Sequence, residues 1–189
     1  YQLYCKSLHI SMSNFISKTR ESLNEKTREQ YIDNILQDNN YNICDRRNEY
    51  IFTIDSRSST DFDDGLSIDT TDNGWRVSIY ISNVFLWLET LKLWDSFGER
   101  VSTIYLPDRK RPMLPTILSD TLCSLQQNQY RFAVCLDVFI DRHGKYINVE
   151  EYSLKNCIIS VSKNYYHSQK ELHRDPHFIE LYELTKQLD

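Results

Sequence analysis

In the segment Thr53-Ile54-Asp55-Ser56-Arg57-Ser58-Ser59-Thr60-Asp61-Phe62-Asp63-Asp64-Gly65, four carboxylates fall within ten residues, at offsets 0, 6, 8 and 9 from Asp55. Asp61 and Asp63 share a side of an extended backbone, and Ser58-Ser59-Thr60 let the chain turn back toward Asp55. Carboxylates packed this closely repel one another, and several would keep their protons to unusually high pH unless a cation neutralised them. Oxygen donors on few positions suit Mg²⁺ or Mn²⁺, hard ions that retain water and complete their shells with substrate phosphates. A solvated acidic turn is the plainer alternative. An EF-hand does not fit: with Gly65 as its sixth position, Thr60 would be first and Phe62 third, neither a ligand type for those places. Asp61-Phe62-Asp63 also matches the DxD of metal-dependent glycosyltransferases, but three residues carry little information.

Other residues offer less. Cys5, Cys44, Cys123, Cys135 and Cys157 are scattered, odd in number and never spaced CxxC, so neither a disulfide framework nor a thiolate zinc site is indicated. A reducing, intracellular compartment, the cytoplasm first, is the expectation. His173 and His177 have helical i, i+4 spacing, yet Pro176 lies between them and no third ligand is near, so they read as surface polar residues. No apolar run approaches the ~18 residues that span a bilayer. The net charge of −5 argues against a general nucleic-acid magnet; were the four clustered acids neutralised by cations, the rest would carry only about −1. Charge therefore leaves the partner open. With 4 Gly and 4 Pro in 189 residues, Gly-rich nucleotide loops and collagen-like or linker-like architectures are excluded.

The elements that must position the acids follow from periodicity. A polar, Asn-rich stretch, 1–48, carries Tyr31, Ile32, Ile35 and Leu36 at helical spacing, which predicts a helix over 27–38 capped by Thr27. From Glu49 the character changes. Tyr50–Ile54 is a β-branched and aromatic strand ending at Asp55, and Leu66–Ile68 begins a second. Asp72-Asn73-Gly74 is a hairpin turn, after which Trp75, Val77, Ile79 and Ile81 alternate with Arg76, Ser78, Tyr80 and Ser82. The spacing predicts a helix over 84–94, a short strand over 102–106, and an ordered loop through Pro107, Pro112 and Pro115. Strands over 132–140 and 145–149 flank the turn Asp141–Gly144, and 157–161 is a further strand. Helices are predicted over 164–172 and 178–188. There is no internal repeat, and hairpins with interleaved helices make an α+β arrangement.

TIDxxxxxDxDDG does not stand alone. It is followed by Tyr105-Leu106-Pro107-Asp108, Pro112-Met113-Leu114-Pro115, Leu118-Ser119-Asp120-Thr121-Leu122-Cys123-Ser124-Leu125, Arg131-Phe132-Ala133 and Ser162-Lys163-Asn164-Tyr165-Tyr166. In that order these motifs, over roughly Ile51 to His167, resemble the RNB family of 3′→5′ exoribonucleases. These are the ribonuclease II and ribonuclease R types and the catalytic subunit of the eukaryotic exosome. The resemblance implies a mixed α+β RNB-type catalytic domain, here its N-terminal part over 49–189, with 1–48 an upstream helical or linker segment. It implies Mg²⁺-assisted hydrolysis of single-stranded RNA from its 3′ end to nucleoside 5′-monophosphates. It carries catalytic and metal-binding roles onto Asp55, Asp61, Asp63 and Asp64. Asp55 and Asp64 are the first choices as direct ligands, Asp61 completes the shell, and Asp63 positions the attacking water or stabilises the reacting centre.

The same resemblance assigns RNA contacts to Tyr105, along the RNA path, and Tyr166, near the 3′-terminal nucleotide. Stacking on either accepts any base. Arg109-Lys110-Arg111 is a short basic run suited to phosphate or simply to solvent, and Arg100 and Arg131 are as well explained by structural ion pairs. Departures are Gly65, where the family commonly has Ala, and Tyr80-Ile81-Ser82-Asn83-Val84, where it commonly reads His-Ile-Ala-Asp-Val. The family's later catalytic arginine and glutamate, and an S1-type RNA-binding domain, are expected beyond residue 189. The chain begins at Tyr1, so an upstream start, or processing, is expected as well. The 189 residues alone are therefore expected to be inactive. The rival expectation is a degenerate RNB-like subunit that binds RNA or partner proteins, in a protein complex, without cutting.

Overall fold

Thr71 faces Gly74 across the two-residue turn Asp72-Asn73, and from this turn the central hairpin grows: β2 (Asp64–Thr71) pairs antiparallel with β3 (Gly74–Ser82) along its whole length. In the computed structural model, residues 17, 24–94, 102–108, 110, 111, 113, 114, 116–143 and 153–187 are described. Contacts divide the chain into two units, Asn42–Asn83 with Ser124–Asp189, and Tyr1–Tyr41 with Val84–Cys123.

The first of these units is a closed five-stranded barrel with β1 (Cys44–Asp55), β6 (Tyr130–Asp141) and β7 (Ser153–Tyr166), in the order β1-β2-β3-β6-β7. Closure comes from β7, which runs antiparallel to β6 and parallel to β1. The β1–β7 register shifts between Arg46 and Phe52, a local irregularity of the kind that lets a strand bend round a barrel. β1 already begins at Cys44, upstream of the change of character seen at Glu49. The expected helix over 164–172 is not formed. Asn164, Tyr165 and Tyr166 instead continue β7, because each pairs with Thr53, Ile54 and Asp55 in turn. Only after Tyr166 does the chain turn, through a 3₁₀ segment (Leu172–Arg174). The strand predicted over 145–149 lies outside the described residues.

The interior is unusual. Of the two alternating faces of β3, one carries the fully buried Ser78 and Tyr80, while Ile81 on the apolar face is half exposed. The reason is a charge pair within the barrel. Arg46 donates from Nη1 to Asp137 Oδ1 at 2.7 Å and from Nη2 to Oδ2 at 2.5 Å. Ser78 Oγ donates to Asp137 Oδ1 at 2.7 Å, and Tyr80 OH donates to Glu49 Oε2 at 2.5 Å. Buried ions need such partners, so hydroxyls are recruited inward. Toward the other end the interior is apolar, built from Ile51, Phe62, Leu125, Ala133, Ile159 and Val161.

Outside, the barrel is covered by α3 (Pro176–Thr185), whose Phe178, Leu181 and Leu184 pack over Phe52, Ile68, Trp75 and Ile140. Asp175 caps this helix by accepting from the His177 and Phe178 amides, and its other oxygen accepts from the Tyr50 and Tyr165 hydroxyls.

In the second unit, α1 (Glu25–Gln37) starts earlier than expected: Asn24, not Thr27, is the N-cap, accepting from Lys26 N–H. It buries Ile32 and Ile35. α2 (Val84–Thr90) buries Leu86, Trp87 and Leu88. It stops short of the predicted 94 in a Schellman closure, with Leu93 N–H donating to Leu88 O, Lys92 N–H to Glu89 O, and Lys92 at φ 53°. A π-helical segment (Ile117–Cys123) and the two-stranded pair β4 (Ile104–Tyr105) and β5 (Lys110–Arg111) complete it.

Candidate active site

Asp55 closes β1 and Asp64 opens β2, so two of the four acids are fixed by strand ends. Between them, the serines make the expected turn: Ser59 N–H donates to Ser56 O, and the Ser56 hydroxyl lies 3.0 Å from those of Ser58 and Ser59. Phe62 anchors the return. Its ring enters the apolar interior beside Ile51, Tyr80 and Leu125; its N–H donates to Ser124 Oγ at 3.1 Å, and its carbonyl accepts from Leu125 N–H at 2.8 Å. With Phe62 pointing in, the flanking Asp61 and Asp63 emerge at the rim, and Asp63 O accepts from Ser82 N–H at 2.9 Å. Asp63 and Asp64 are exposed; Asp55 and Asp61 are half-buried, with Asp61 Oδ1 shielded from solvent.

The electrostatics follow from this placement. Burial raises the Asp55 pKa above the ordinary carboxylate range, and the charges of Asp64 and Asp63 push it further. A hydrogen bond from Thr53 and the nearness of His167 oppose this without cancelling it. A divalent cation would remove the like-charge penalty, and the donor set, carboxylate oxygen throughout, is the type that hard ions prefer. Among the described residues no three Asp, Glu, His or Cys side chains converge on one point as a ready-made metal cage. The acids are near enough to feel one another, and an ion held here would draw its remaining ligands from water and phosphate oxygens.

Gly65 follows the acids at a close approach. A Cβ there would lie 3.2 Å from Ile51 Cγ2 and 3.7 Å from Leu125 Cδ1, side-chain atoms that can yield slightly. Tyr166 is the register partner of Asp55 and packs partly buried against the interior core, so one tyrosine assigned by resemblance stands beside the acids. Tyr105, 76% exposed, is no core tyrosine; it belongs to the other unit, as do Lys110 and Arg111, which pair with β4. Arg109 and Arg100 lie outside the described residues. Arg131 is buried, donating to the Ser124 and Tyr130 carbonyls and to Gln126 Oε1. His173 is exposed, as expected of a surface polar residue, and meets Phe178 edge-on, whereas His177 is half-buried and stacks on Tyr50 at 4.0 Å. Thr53, Asn164, Ser124 and Leu125 stand within the sequence motifs without an assigned role, and Gln126 and Gln127 stand outside them. Each is hydrogen-bonded around the acids, but only pairing between distant strands brings them there.

A closed barrel whose rim carries four carboxylates, two at the ends of adjacent strands and two on the segment between them, defines a class of acid-centred site on a β scaffold. Residues 44–174 match the RNB domain model, and the chain belongs to the RNB domain family. Over 95 residues it is 37% identical to exoribonuclease 2 of Psychromonas ingrahamii, half of this chain but 14% of that protein. It superposes on Mycoplasma genitalium RNase R, solved with ribose-methylated single-stranded RNA, with TM-score 0.64 and 25% identity, covering 78% of this chain and 24% of that one. Yeast Ssd1, a pseudonuclease, shares the fold with TM-score 0.63 at 17% identity, over 77% of this chain and 19% of its own. The chain thus spans a minor fraction of the relatives it matches. No described helix is long and apolar enough to cross a membrane.

Proposed function

We propose that the protein is a 3′→5′ exoribonuclease that hydrolyses single-stranded RNA to nucleoside 5′-monophosphates at the acid cluster of the barrel rim. The observation that carries this is the intact quartet, Asp55, Asp61, Asp63 and Asp64, held by strand ends and by the Phe62 anchor within an RNB domain. Asp55 and Asp64 would hold Mg²⁺ or Mn²⁺, with Asp61 and Asp63 adjoining. When bound, the ion supplies neutralising charge to the phosphate and acidity to the attacking water. The chain's own residues do the rest. Burial and the charges of Asp64 and Asp63, which raise the Asp55 pKa, make this a place where the positive charge of a cation is favourable. Asp63, exposed at the rim, orients the water, and the Tyr166 ring supports the terminal base by stacking. Tyr105 and the Arg109-Lys110-Arg111 run are assigned to the RNA path, and an S1-type domain in the complete protein to RNA capture.

A second reading, a non-cutting RNA-binding subunit, is favoured by Asn83. It stands where the family commonly has an acid, buried, with its side-chain amide donating to Asn156 Oδ1 at 3.0 Å. Incubating the complete protein with Mg²⁺ and 3′-labelled single-stranded RNA separates the two. Release of labelled mononucleotide, reduced ~10²-fold or more in Asp63→Asn with RNA binding kept, is the expected result. Bound RNA that is never shortened supports the subunit instead.

A further inference from the structure

Asn164 joins three stretches of chain that carry the site. Its Oδ1 accepts from Gln127 N–H at 2.7 Å, and its Nδ2 donates to the Leu125 carbonyl and to Thr53 Oγ1, both at 2.9 Å. The amide can face only one way, because a backbone N–H only donates and a backbone carbonyl only accepts. Thr53 therefore meets a donor, and its own hydroxyl proton is free to turn to an acceptor. Asp55, two residues along the same strand face, is the carboxylate beside it, and the Thr53 hydroxyl favours its charged form. On its other side Asn164 secures Leu125 and Gln127. Leu125 N–H and Ser124 Oγ in turn grip the backbone of Phe62, between Asp61 and Asp63.

Sheet pairing cannot supply this tie. β1 and β2 share a single register pair, Phe52 with Leu66, and residues 56–63 belong to no strand. We propose that Asn164 is a positioning residue that sets the separation between Asp55 and the Asp61–Asp63 pair, through Thr53 on one side and the Leu125–Gln127 segment on the other. The inference rests on reading these carboxylates as the hydrolytic site.

The test uses the complete protein. Asn164→Leu keeps the branched shape, in a somewhat larger side chain, and removes all three bonds; Thr53→Val removes only the hydroxyl, and Thr53→Ser restores it. At saturating RNA, turnover should fall ~10- to 10²-fold in the first two variants, as a misplaced reacting group requires, and stay near wild type in Thr53→Ser. The Kd for RNA without divalent ions should stay within about twofold, since no base or phosphate contact is lost. Mn²⁺ titration followed by electron paramagnetic resonance should show a higher half-saturation concentration in Asn164→Leu. Amide exchange should accelerate at Phe62 and Leu125 in that variant and not in β3 or β6. Unchanged turnover, Mn²⁺ half-saturation and Phe62 exchange overturn the proposal, as does uniform acceleration across the barrel, which would make Asn164 a general stabiliser. If the wild type does not degrade RNA, the hydrolytic reading fails on its own, and exchange at Phe62 and Leu125 still decides whether Asn164 ties the acids together.

Discussion

Replacing Asp137 by Asn changes almost no volume but takes one charge out of the barrel. Arg46 and Asp137 are 5% and 1% exposed, and Asp137 collects bonds from Arg46, Ser78, Ser153 and Lys155. Breaking a buried pair costs about 3–5 kcal/mol, because the surviving ion is left in a low dielectric. Here Glu49 lies 3.5 Å from Arg46 Nε and takes over part of the charge, which points to the lower end, about 3 kcal/mol. At about 1.4 kcal/mol per factor of ten, amides of β3 and β6 that exchange through barrel opening should exchange ~150-fold faster. Replacing both partners, Arg46→Met with Asp137→Leu, should recover most of the loss. Hydrogen exchange within about fivefold of wild type in Asp137→Asn, or a double variant no better than the single one, would refute this account.

The same pair sets an acid limit. Burial alone would raise the Asp137 pKa, but bonds from Arg46 and Ser78 outweigh it and hold the carboxyl well below its usual range. With the folded pKa below the unfolded one of about 3.9, the stabilisation is complete above that pH and drains away as pH falls toward the folded value. Asp137→Asn should lose this part of the acid sensitivity.

Three further outcomes are expected. Tyr166→Ala should weaken the hold on the terminal base by roughly 5- to 150-fold, from ~1–3 kcal/mol of stacking, and lengthen the shortest RNA trimmed; Tyr166→Phe should restore it, and a Phe variant as impaired as Ala would assign the role to the hydroxyl. Gly65→Ala should cost under ~1 kcal/mol in denaturant titration and keep activity, since Ile51 can yield a few tenths of an ångström. Gly74→Ala should be far worse, about 3 kcal/mol by amide exchange at the β3–β6 end, because its Cβ would sit 2.0 Å from the Ile140 carbonyl oxygen at φ 155°.

The acid cluster could be read directly because its spacing is written along one stretch of chain, and so could the Asp72-Asn73-Gly74 turn. What could not be read was which strands meet. Arg46 and Asp137 are 91 positions apart, and nothing in either neighbourhood announces the other, so nothing there marks the face of Ser78 and Tyr80 as the buried one. Asn164-Tyr165-Tyr166 looked helical because local preference there is weak and the deciding partner is Thr53 to Asp55. The α2 end differs from the pattern for the opposite reason: the apolar spacing runs on through Leu91 and Leu93, while the backbone closes at Lys92 without the Gly that usually signals it.

Thr53 and Asn164 are 111 positions apart, and β1 has no long antiparallel partner to hold it meanwhile. At translation speeds of about 5–20 residues per second, the ribosome needs roughly 5–22 s to add the chain between them. Through that interval Asp55 has its own strand but neither Tyr166 beside it nor Asn164 behind Thr53. The nascent barrel is an open sheet with an unpaired edge, which makes β1 a target for chaperones and for mispairing. Asp55 gains its neighbours Tyr166 and, through Thr53, Asn164 only when β7 docks.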